Sequence, residues 1–293
     1  MRDHLNGIKS FFLDLGLYLP GSPLTDVLRL FAGKKAGRMM ARMMGPAGLD
    51  VTLQPGLFSN KIARWNPAGN STTVPGVDGF AAPTAIGTAT TRSVASTNIV
   101  TRARRLGYVS AATAAALCGH YSTVAQFTIG ATAGVGGFFY VSRFVTSDPA
   151  AVAGARMFVG LRNAVAVPTN VEPNSQVNCV GVAQLSTSAN LHLVFGGSAA
   201  QAAIDLGANF PAAGASTDLY ELALFAPPDT QVIHWQVTRV NTGQVASGTL
   251  NGTVGTAIPA ATTFLGHAAW RCNNATALAC GIDVVSVYVE TDN

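Results

Sequence analysis

Turn-forming residues divide the chain from Gly45 onward into short segments, and this punctuation constrains the fold more than any other feature. Pro, Gly, Asn, Ser and Thr recur at intervals of about 8–12 residues, a spacing typical of all-β sandwiches and barrels. Between the turns, apolar and polar side chains alternate, as they do in strands that bury one face. Near the end of the chain, Ile233 and Trp235 share one face of such a strand and His234 takes the other.

About ten segments of this kind follow one another. They cover residues 124–129, 137–146, 156–161, 178–185, 190–195, 218–225, 231–240, 244–250, 262–271 and 281–290. So many strands joined by short polar turns predict two antiparallel sheets packed as a jelly-roll-like β-sandwich over residues 102–293. A parallel α/β fold is excluded because the strands do not alternate with helices. Residues 111–117 are rich in Ala, which predicts one or two helical turns there.

The stretch 45–101 alternates less regularly than the rest of the body. Turn signals such as Asn66-Pro67 and Ala82-Pro83 interrupt it throughout, and such dipeptides mark loops rather than long regular elements. We therefore predict an extended arm or linker with short strands over residues 45–101.

Residues 1–44 carry apolar side chains at helical spacing and predict a short, basic, amphipathic helical anchor. Ile8 and Leu15 share one face of a first helix, and Ser22-Pro23 is typical of an N-cap followed by proline at the first helical position. A signal peptide or a membrane span is not expected because Asp14 interrupts the apolar run. We predict that this segment docks onto another protein; binding to a membrane surface is the alternative for a basic amphipathic segment.

Charge is distributed unevenly between these parts of the chain. The net charge of +4 belongs wholly to residues 1–44, which hold seven basic and three acidic residues, whereas residues 45–293 hold 11 of each. A nucleic-acid-binding face would spread basic charge over a domain, so no nucleic-acid partner is expected. Charged residues make up only 11% of the chain. A body so poor in charge predicts a surface that is covered by copies of itself or by partners.

The sequence shows no motif for catalysis, a cofactor or a metal ion. It contains neither HExxH nor G-x-S-x-G, and the glycine-rich run 130–137 lacks the lysine of a P-loop. The four cysteines form no CxxC pair, so buried free thiols are expected, with a Cys272–Cys280 disulfide as the alternative. No two acidic residues stand out as the pair that glycosidases use. We predict a protein that is not an enzyme and that uses no cofactor and no metal.

Two groups of side chains are candidates for contact with a receptor or with another subunit. The first is the basic cluster of Arg102, Arg104 and Arg105 with Tyr108 close behind it in the sequence, for which salt bridges within the chain are the alternative. The second group is the pair of tryptophans Trp235 and Trp270. Aromatic rings of this size either stack on sugars or fill a core or subunit interface.

Several segments resemble tail-fibre-type structural proteins of tailed bacteriophages and prophages. They are residues 65–76, 102–110 and 136–143, the late Trp235, and residues 283–290. The resemblance lies in the order and texture of these segments. It implies a homotrimer that attaches to phage tail or neck proteins (an adaptor, a nozzle or a portal-proximal ring) through its N-terminus. It also implies that the β-rich domain contacts a glycan or protein of the host surface.

The sequence therefore predicts a short trimeric tail fibre on the phage virion. Its predicted docking residues are apolar and basic side chains of the anchor, namely Phe11, Phe12, Leu15, Leu28, Phe31, Lys34, Lys35, Arg38, Met39 and Met40. A capsid decoration or head-fibre protein without a receptor role is the first alternative. A carbohydrate-binding or carbohydrate-cleaving β-sandwich protein is the second. No membrane insertion is expected.

Overall fold

The computed structural model describes residues 29–44, 50–52, 61–69, 71–72, 79–131, 136–212, 215–228 and 230–291. The chain divides into two compact units, Met1–Phe58 and Ser59–Asn293. Within the described ranges, no helix has the length and apolar character that crossing a membrane requires.

The described part of the first unit is a three-stranded antiparallel sheet. Strands β1 (Arg29–Lys35) and β2 (Arg38–Met44) form a hairpin, and β3 (Asp50–Thr52) pairs with β2. Ala36 and Gly37 connect β1 to β2 with φ angles of 47° and 75°. Positive φ at both central residues is what the commonest two-residue hairpin turn requires.

The helix predicted for this part of the anchor is therefore wrong for residues 29–44. Two consecutive residues with left-handed φ reverse the chain and cannot continue a right-handed helix. Six predicted docking residues accordingly lie on the hairpin: Phe31, Lys34, Lys35, Arg38, Met39 and Met40. The other four lie outside the described residues: Phe11, Phe12, Leu15 and Leu28.

The second unit is built from two antiparallel sheets. Its strands are β4 (Lys61–Trp65), β5 (Thr84–Ile86), β6 (Thr88–Thr91), β7 (Leu106–Val109), β8 (Leu117–Tyr121), β9 (Phe138–Ser147), β10 (Arg156–Arg162), β11 (Cys179–Gln184), β12 (Leu191–Gly196), β13 (Ile204–Asp205), β14 (Ala215–Ala226), β15 (Ile233–Arg239), β16 (Gln244–Leu250), β17 (Gly266–Cys272) and β18 (Gly281–Thr291). The seven-stranded sheet has the order β13-β12-β11-β10-β17-β8-β5. The eight-stranded sheet has the order β16-β15-β14-β9-β18-β7-β6, with β4 also paired to β18. The described residues also form one short α-helix, α1 (Ile99–Arg102), which begins at the N-cap Asn98, and one 3-10 helix at Pro173–Ser175.

The two sheets enclose one apolar core, so the predicted antiparallel β-sandwich is confirmed. Side chains that alternate along a strand point to opposite faces of the sheet. On β14, Tyr220 and Leu222 are therefore fully buried in this core, while Glu221 between them faces away from the core and pairs with Arg143. Each large apolar side chain buried in this way stabilises the fold by roughly 1.5–3 kcal/mol. Consecutive strands form two meanders, β10 to β13 and β14 to β16, and the jelly-roll connectivity is not confirmed.

Part of the predicted arm belongs to the sandwich. The second unit begins at Ser59, and β4, β5 and β6 are members of its two sheets. Arg92, which follows β6, is tied to the eight-stranded sheet because its Nε lies 3.0 Å from the Asp283 carboxylate of β18. The short strands expected in residues 45–101 are present: β4, β5 and β6 pair with the body, whereas β3 pairs with β2 of the first unit.

The helical turns predicted for residues 111–117 are absent, because a buried side chain takes over their backbone groups. Asn273 donates from Nδ2 to the carbonyl oxygens of Ala111 and Thr113 and accepts from the Ala116 N–H at 2.9 Å. With these groups satisfied by one side chain, the segment turns and enters β8 at Leu117.

A chain of hydrogen-bonded aromatic groups crosses the sandwich core. The His120 and His267 rings meet with 2.8 Å between their Nε2 atoms, and their Nδ1 atoms lie 3.1 Å from Tyr108 Oη and 2.9 Å from Tyr140 Oη, respectively. Burial lowers the pKa of His120 to about 3. The pKa of His267 also falls well below its ordinary value, first because of burial and then because of the neighbouring His120. Both rings are therefore neutral at physiological pH.

Candidate functional site

The loop 163–178 joins β10 to β11 and lies against the face of the seven-stranded sheet that is turned away from the core. Connections longer than about 12–15 residues with little regular structure are commonly functional. This loop is held in place at both ends and in its middle. The Asn163 N–H donates to the Asn178 carbonyl at 2.9 Å, and Arg156 Nε lies 2.8 Å from the Glu172 carboxylate.

Beneath the loop, the outer face of the sheet carries a second apolar cluster. Phe158 on β10 and Trp270 on β17 are cross-strand partners whose rings stack with centroids 6.5 Å apart and an interplanar angle of 25°. Gly181 on β11 makes room for this pair, because a Cβ there would lie 2.9 Å from the Phe158 ring. Cys179, Ala183, Val194, Ala268 and Cys272 complete the cluster.

A cleft of about 290 Å³ lies between this cluster and the loop. Arg162 and Trp270 form its floor from the sheet, and loop residues including Val167, Thr169, Ser175 and Gln176 form its walls. We call it the Trp270 cleft.

Unpaired hydrogen-bond donors are concentrated in the Trp270 cleft. Across the described residues, five buried side-chain polar atoms have no hydrogen-bond partner, and three of them belong to residues that line this cleft. The three are Arg162 Nε, Gln176 Nε2 and Trp270 Nε1. Arg162 is 6% exposed and Trp270 is 1% exposed. A buried donor without an acceptor costs about 1–3 kcal/mol and is uncommon in folded proteins, so three such donors on residues of one cleft mark it as the candidate site.

The local electrostatics leave one cation on the floor of the cleft. Arg162 donates from Nη2 to the Ala166 carbonyl, which is a neutral acceptor. Burial lowers the pKa of the Arg162 guanidinium, and burial also raises the pKa of the neighbouring Cys179 thiol to about 12. Cys179 is therefore neutral at physiological pH and does not balance the arginine.

The mouth of the cleft is apolar. Of thirteen exposed large apolar side chains in the described ranges, four lie on the loop, namely Val165, Val167, Val171 and Val177. A fifth, Phe264, is 50% exposed beside the loop, and its carbonyl accepts a 2.9 Å hydrogen bond from Asn163 Nδ2. An apolar mouth around a few polar groups is the common build of a ligand pocket.

The residues predicted as receptor or subunit contacts are dispersed by the fold. Trp270, itself 1% exposed, lines the cleft, whereas Tyr108 and Trp235 are buried in the sandwich core. Arg105 is buried against Asp283 at 2.9 Å. Arg102 and Arg104 remain exposed.

Sequence reasoning missed Arg162 and Gln176. The sequence does contain a signal that could have identified them. It is the long gap between two well-defined predicted strands, 156–161 and 178–185, in which valine recurs. Nothing in the sequence places that gap against Trp270, because β10 and β17 are joined only by the sheet register Phe158↔Trp270.

The four cysteines are buried and free, as the sequence predicted, so the alternative Cys272–Cys280 disulfide does not form. Four buried acids of the sandwich, Asp148, Asp218, Glu221 and Asp283, each pair with an arginine. Among the residues that the structure describes, no three of His, Cys, Asp and Glu come together as a metal site.

No protein-family model matches this chain, and no curated protein sequence matches it. Two solved structures are similar to it in fold. A protein of unknown function from Shewanella oneidensis MR-1 is 14% identical, with a TM-score of 0.51 over 81% of this chain and 89% of that chain. Peanut lectin with a 9mer peptide is 10% identical, with a TM-score of 0.50 over 80% of this chain and 98% of that chain. Both likenesses show a shared β-sandwich fold.

Proposed function

We propose that the sandwich is a glycan-binding module whose site is the Trp270 cleft. The observation that carries this proposal is the set of three unpaired N–H donors beneath an apolar mouth. Sugar hydroxyl and ring oxygens accept hydrogen bonds from such donors, and the C–H faces of a sugar pack on apolar and aromatic side chains. The lectin-type fold supports the same reading.

The size of the cleft limits what it can enclose. Its volume of about 290 Å³ lies near the lower end of the roughly 300–1,000 Å³ of small-molecule sites. One or two sugar units therefore fit inside, and a longer glycan continues over the exposed valines of the loop. Under this proposal, the protein recognises a terminal or protruding sugar unit of a polysaccharide.

The proposed activity is binding without cleavage. Glycoside hydrolysis requires two carboxyl groups about 5–10 Å apart on either side of the scissile bond. The described residues that line the cleft include no aspartate and no glutamate. The nearest acid of the loop, Glu172, is held by Arg156 at 2.8 Å and by the Ser186 side chain.

A matched pair of tryptophan substitutions tests the site. Trp270→Phe removes one unpaired N–H from the cleft and keeps a ring. Trp65→Phe removes an equally buried and unpaired N–H from β4, outside the cleft. On an array of bacterial and host-surface glycans, Trp270→Phe should bind the recognised glycan about tenfold more weakly, the equivalent of one hydrogen bond of about 1.4 kcal/mol, and Trp65→Phe should bind normally. Equal binding by the two variants, or no binding by the native chain, contradicts the proposal.

The virion role that the sequence predicts fits this activity and is part of the proposal. A short trimeric tail fibre would carry the glycan-binding sandwich to the host surface and attach through its N-terminal unit. The support is the resemblance of the body to tail-fibre-type proteins and the concentration of net charge in residues 1–44. Deleting Met1–Phe58 should leave glycan binding intact and prevent incorporation into phage particles. A deletion variant that is incorporated at full occupancy would remove the attachment role.

A further inference from the structure

Arg162 differs from the other buried arginines of the sandwich because no carboxylate among the described residues lies beside it. Arg271 is fully buried and is held by Asp148, with Nε 2.7 Å from Oδ1. Arg105 is 6% exposed, and its Nε lies 2.9 Å from Asp283 Oδ2. Arg162 is equally buried, yet within the described ranges it forms no salt bridge and its Nε has no acceptor.

The difference between Arg162 and the two paired arginines has a large effect on the free energy of folding. A buried cation that lacks a counter-charge costs several kcal/mol, because the low-dielectric surroundings do not replace its hydration. The two paired arginines recover that cost through charge-assisted hydrogen bonds to their aspartates. At Arg162 the same recovery requires an anion that enters the cleft from outside.

We propose that the Trp270 cleft selects acidic sugars and binds their carboxylate at Arg162. This inference rests on the proposed glycan-binding function and adds the chemical class of the ligand. A carboxylate matches the site in charge and in shape. It carries a single negative charge against a single cation, and it is planar, as the guanidinium is.

The other unpaired donors then have a defined role. Gln176 and Trp270 line the same cleft as Arg162, and in this proposal their unpaired N–H groups donate to ring or hydroxyl oxygens of the same sugar. A neutral sugar would satisfy these two donors and leave the arginine uncompensated. The arginine therefore sets the preference for acidic over neutral sugars, and the two uncharged donors orient the ring.

The test compares each acidic glycan with its own uncharged form. The full-length chain is applied to an array of uronic-acid and sialic-acid glycans, each present as the free carboxylate and as its methyl ester, alongside sulfated and neutral glycans. The strongest binding should fall on a carboxylate glycan, and esterification should weaken it at least tenfold. Arg162→Gln should remove the difference between acid and ester, while Trp65→Phe should retain it.

The outcomes separate this inference from the function on which it rests. Strongest binding to a neutral or sulfated glycan, or equal binding of acid and ester, overturns the carboxylate assignment and leaves glycan binding in place. Absence of binding to every glycan overturns both. Circular dichroism of Arg162→Gln confirms that a lost preference does not come from a lost fold. Arg162→Lys, which keeps the charge without the planar fork, should retain part of the preference.

Discussion

The sandwich contains two groups of buried polar side chains that are built in opposite ways. In the core, Tyr108, His120, His267 and Tyr140 supply one another's hydrogen bonds within the chain. Under the loop 163–178, the donors of the Trp270 cleft have no partner in the described part of the chain. Buried polar groups that are satisfied internally stabilise one packing of the core. Buried donors that are left open carry a cost that a ligand can remove, and this contrast is what marks the cleft as a site.

The largest expected effect comes from replacing two buried arginines in turn: Arg271, which pairs with a carboxylate, and Arg162, which has no carboxylate partner among the described residues. Arg271→Met leaves Asp148 as a buried, unpaired carboxylate, and we expect the free energy of unfolding to fall by about 3–5 kcal/mol. Arg162→Met removes a cation that has no carboxylate partner among the described residues, so the same quantity should change by less than about 1 kcal/mol or rise. Urea denaturation of the two variants measures both values. A loss at Arg162 as large as that at Arg271 would show that Arg162 is already paired.

The histidine chain predicts how stability depends on pH. Burial lowers the pKa of His120 in the folded state to about 3, against an ordinary value of 6.5. The unfolded chain therefore binds more protons than the folded chain between these values, and stability is full above pH 6.5 and falls as the pH decreases. Each such histidine contributes a slope of about 1.4 kcal/mol per pH unit.

Urea denaturation of His120→Gln and of the native chain between pH 6.5 and 4.5 isolates this effect, because ordinary carboxylates titrate alike in both chains and cancel from the difference. His120→Gln should reduce the slope by about 1.4 kcal/mol per pH unit, since it removes one titrating group from the chain. An unchanged slope in this variant would mean that His120 is protonated in the folded state, and the core would then hold a charged group as the cleft does.

The sequence predicted the strands of the sandwich core better than it predicted the Trp270 cleft, and the reason is physical. Most strands from β9 to β18 follow from alternation, because they bury a face in the core and the pattern is local to each segment. The exception is β13, whose two residues are exposed and which the sequence does not predict. The strand expected at residues 124–129 is absent, and a single bridge joins Phe127 to Leu265 there. The hairpin at residues 29–44 was misread because the spacing of Leu28 and Phe31 suits a helix, while the deciding turn depends on the backbone of Ala36 and Gly37. The residues of the Trp270 cleft come together only through the register in which the strands of the sheet pair, and a local sequence pattern does not predict that register.

That register brings together residues far apart in the sequence. Trp270 reaches the loop 163–178 only because β17 pairs with β10, and no local pattern records this pairing. The sequence also does not reveal that Arg162 lacks an acidic neighbour in the described part of the chain, since this requires knowing which residues surround the guanidinium. Open donors are therefore a property of the assembled sheet, whereas the buried face of a single strand is a property of its own segment.

The smallest expected effect comes from comparing an exposed valine at the mouth of the cleft with an exposed valine elsewhere on the surface. Val167 on the loop is 53% exposed and lines the cleft, whereas Val245 on β16 is 54% exposed and is not among the described residues that line it. Val167→Ser should weaken binding of the preferred glycan about two- to threefold, because it removes roughly 0.5 kcal/mol of apolar contact with the sugar. Val245→Ser should leave affinity unchanged. Both substitutions are exposed and should leave the free energy of unfolding within about 0.5 kcal/mol of the native value. Equal affinities in a calorimetric titration would mean that the glycan makes no contact with Val167.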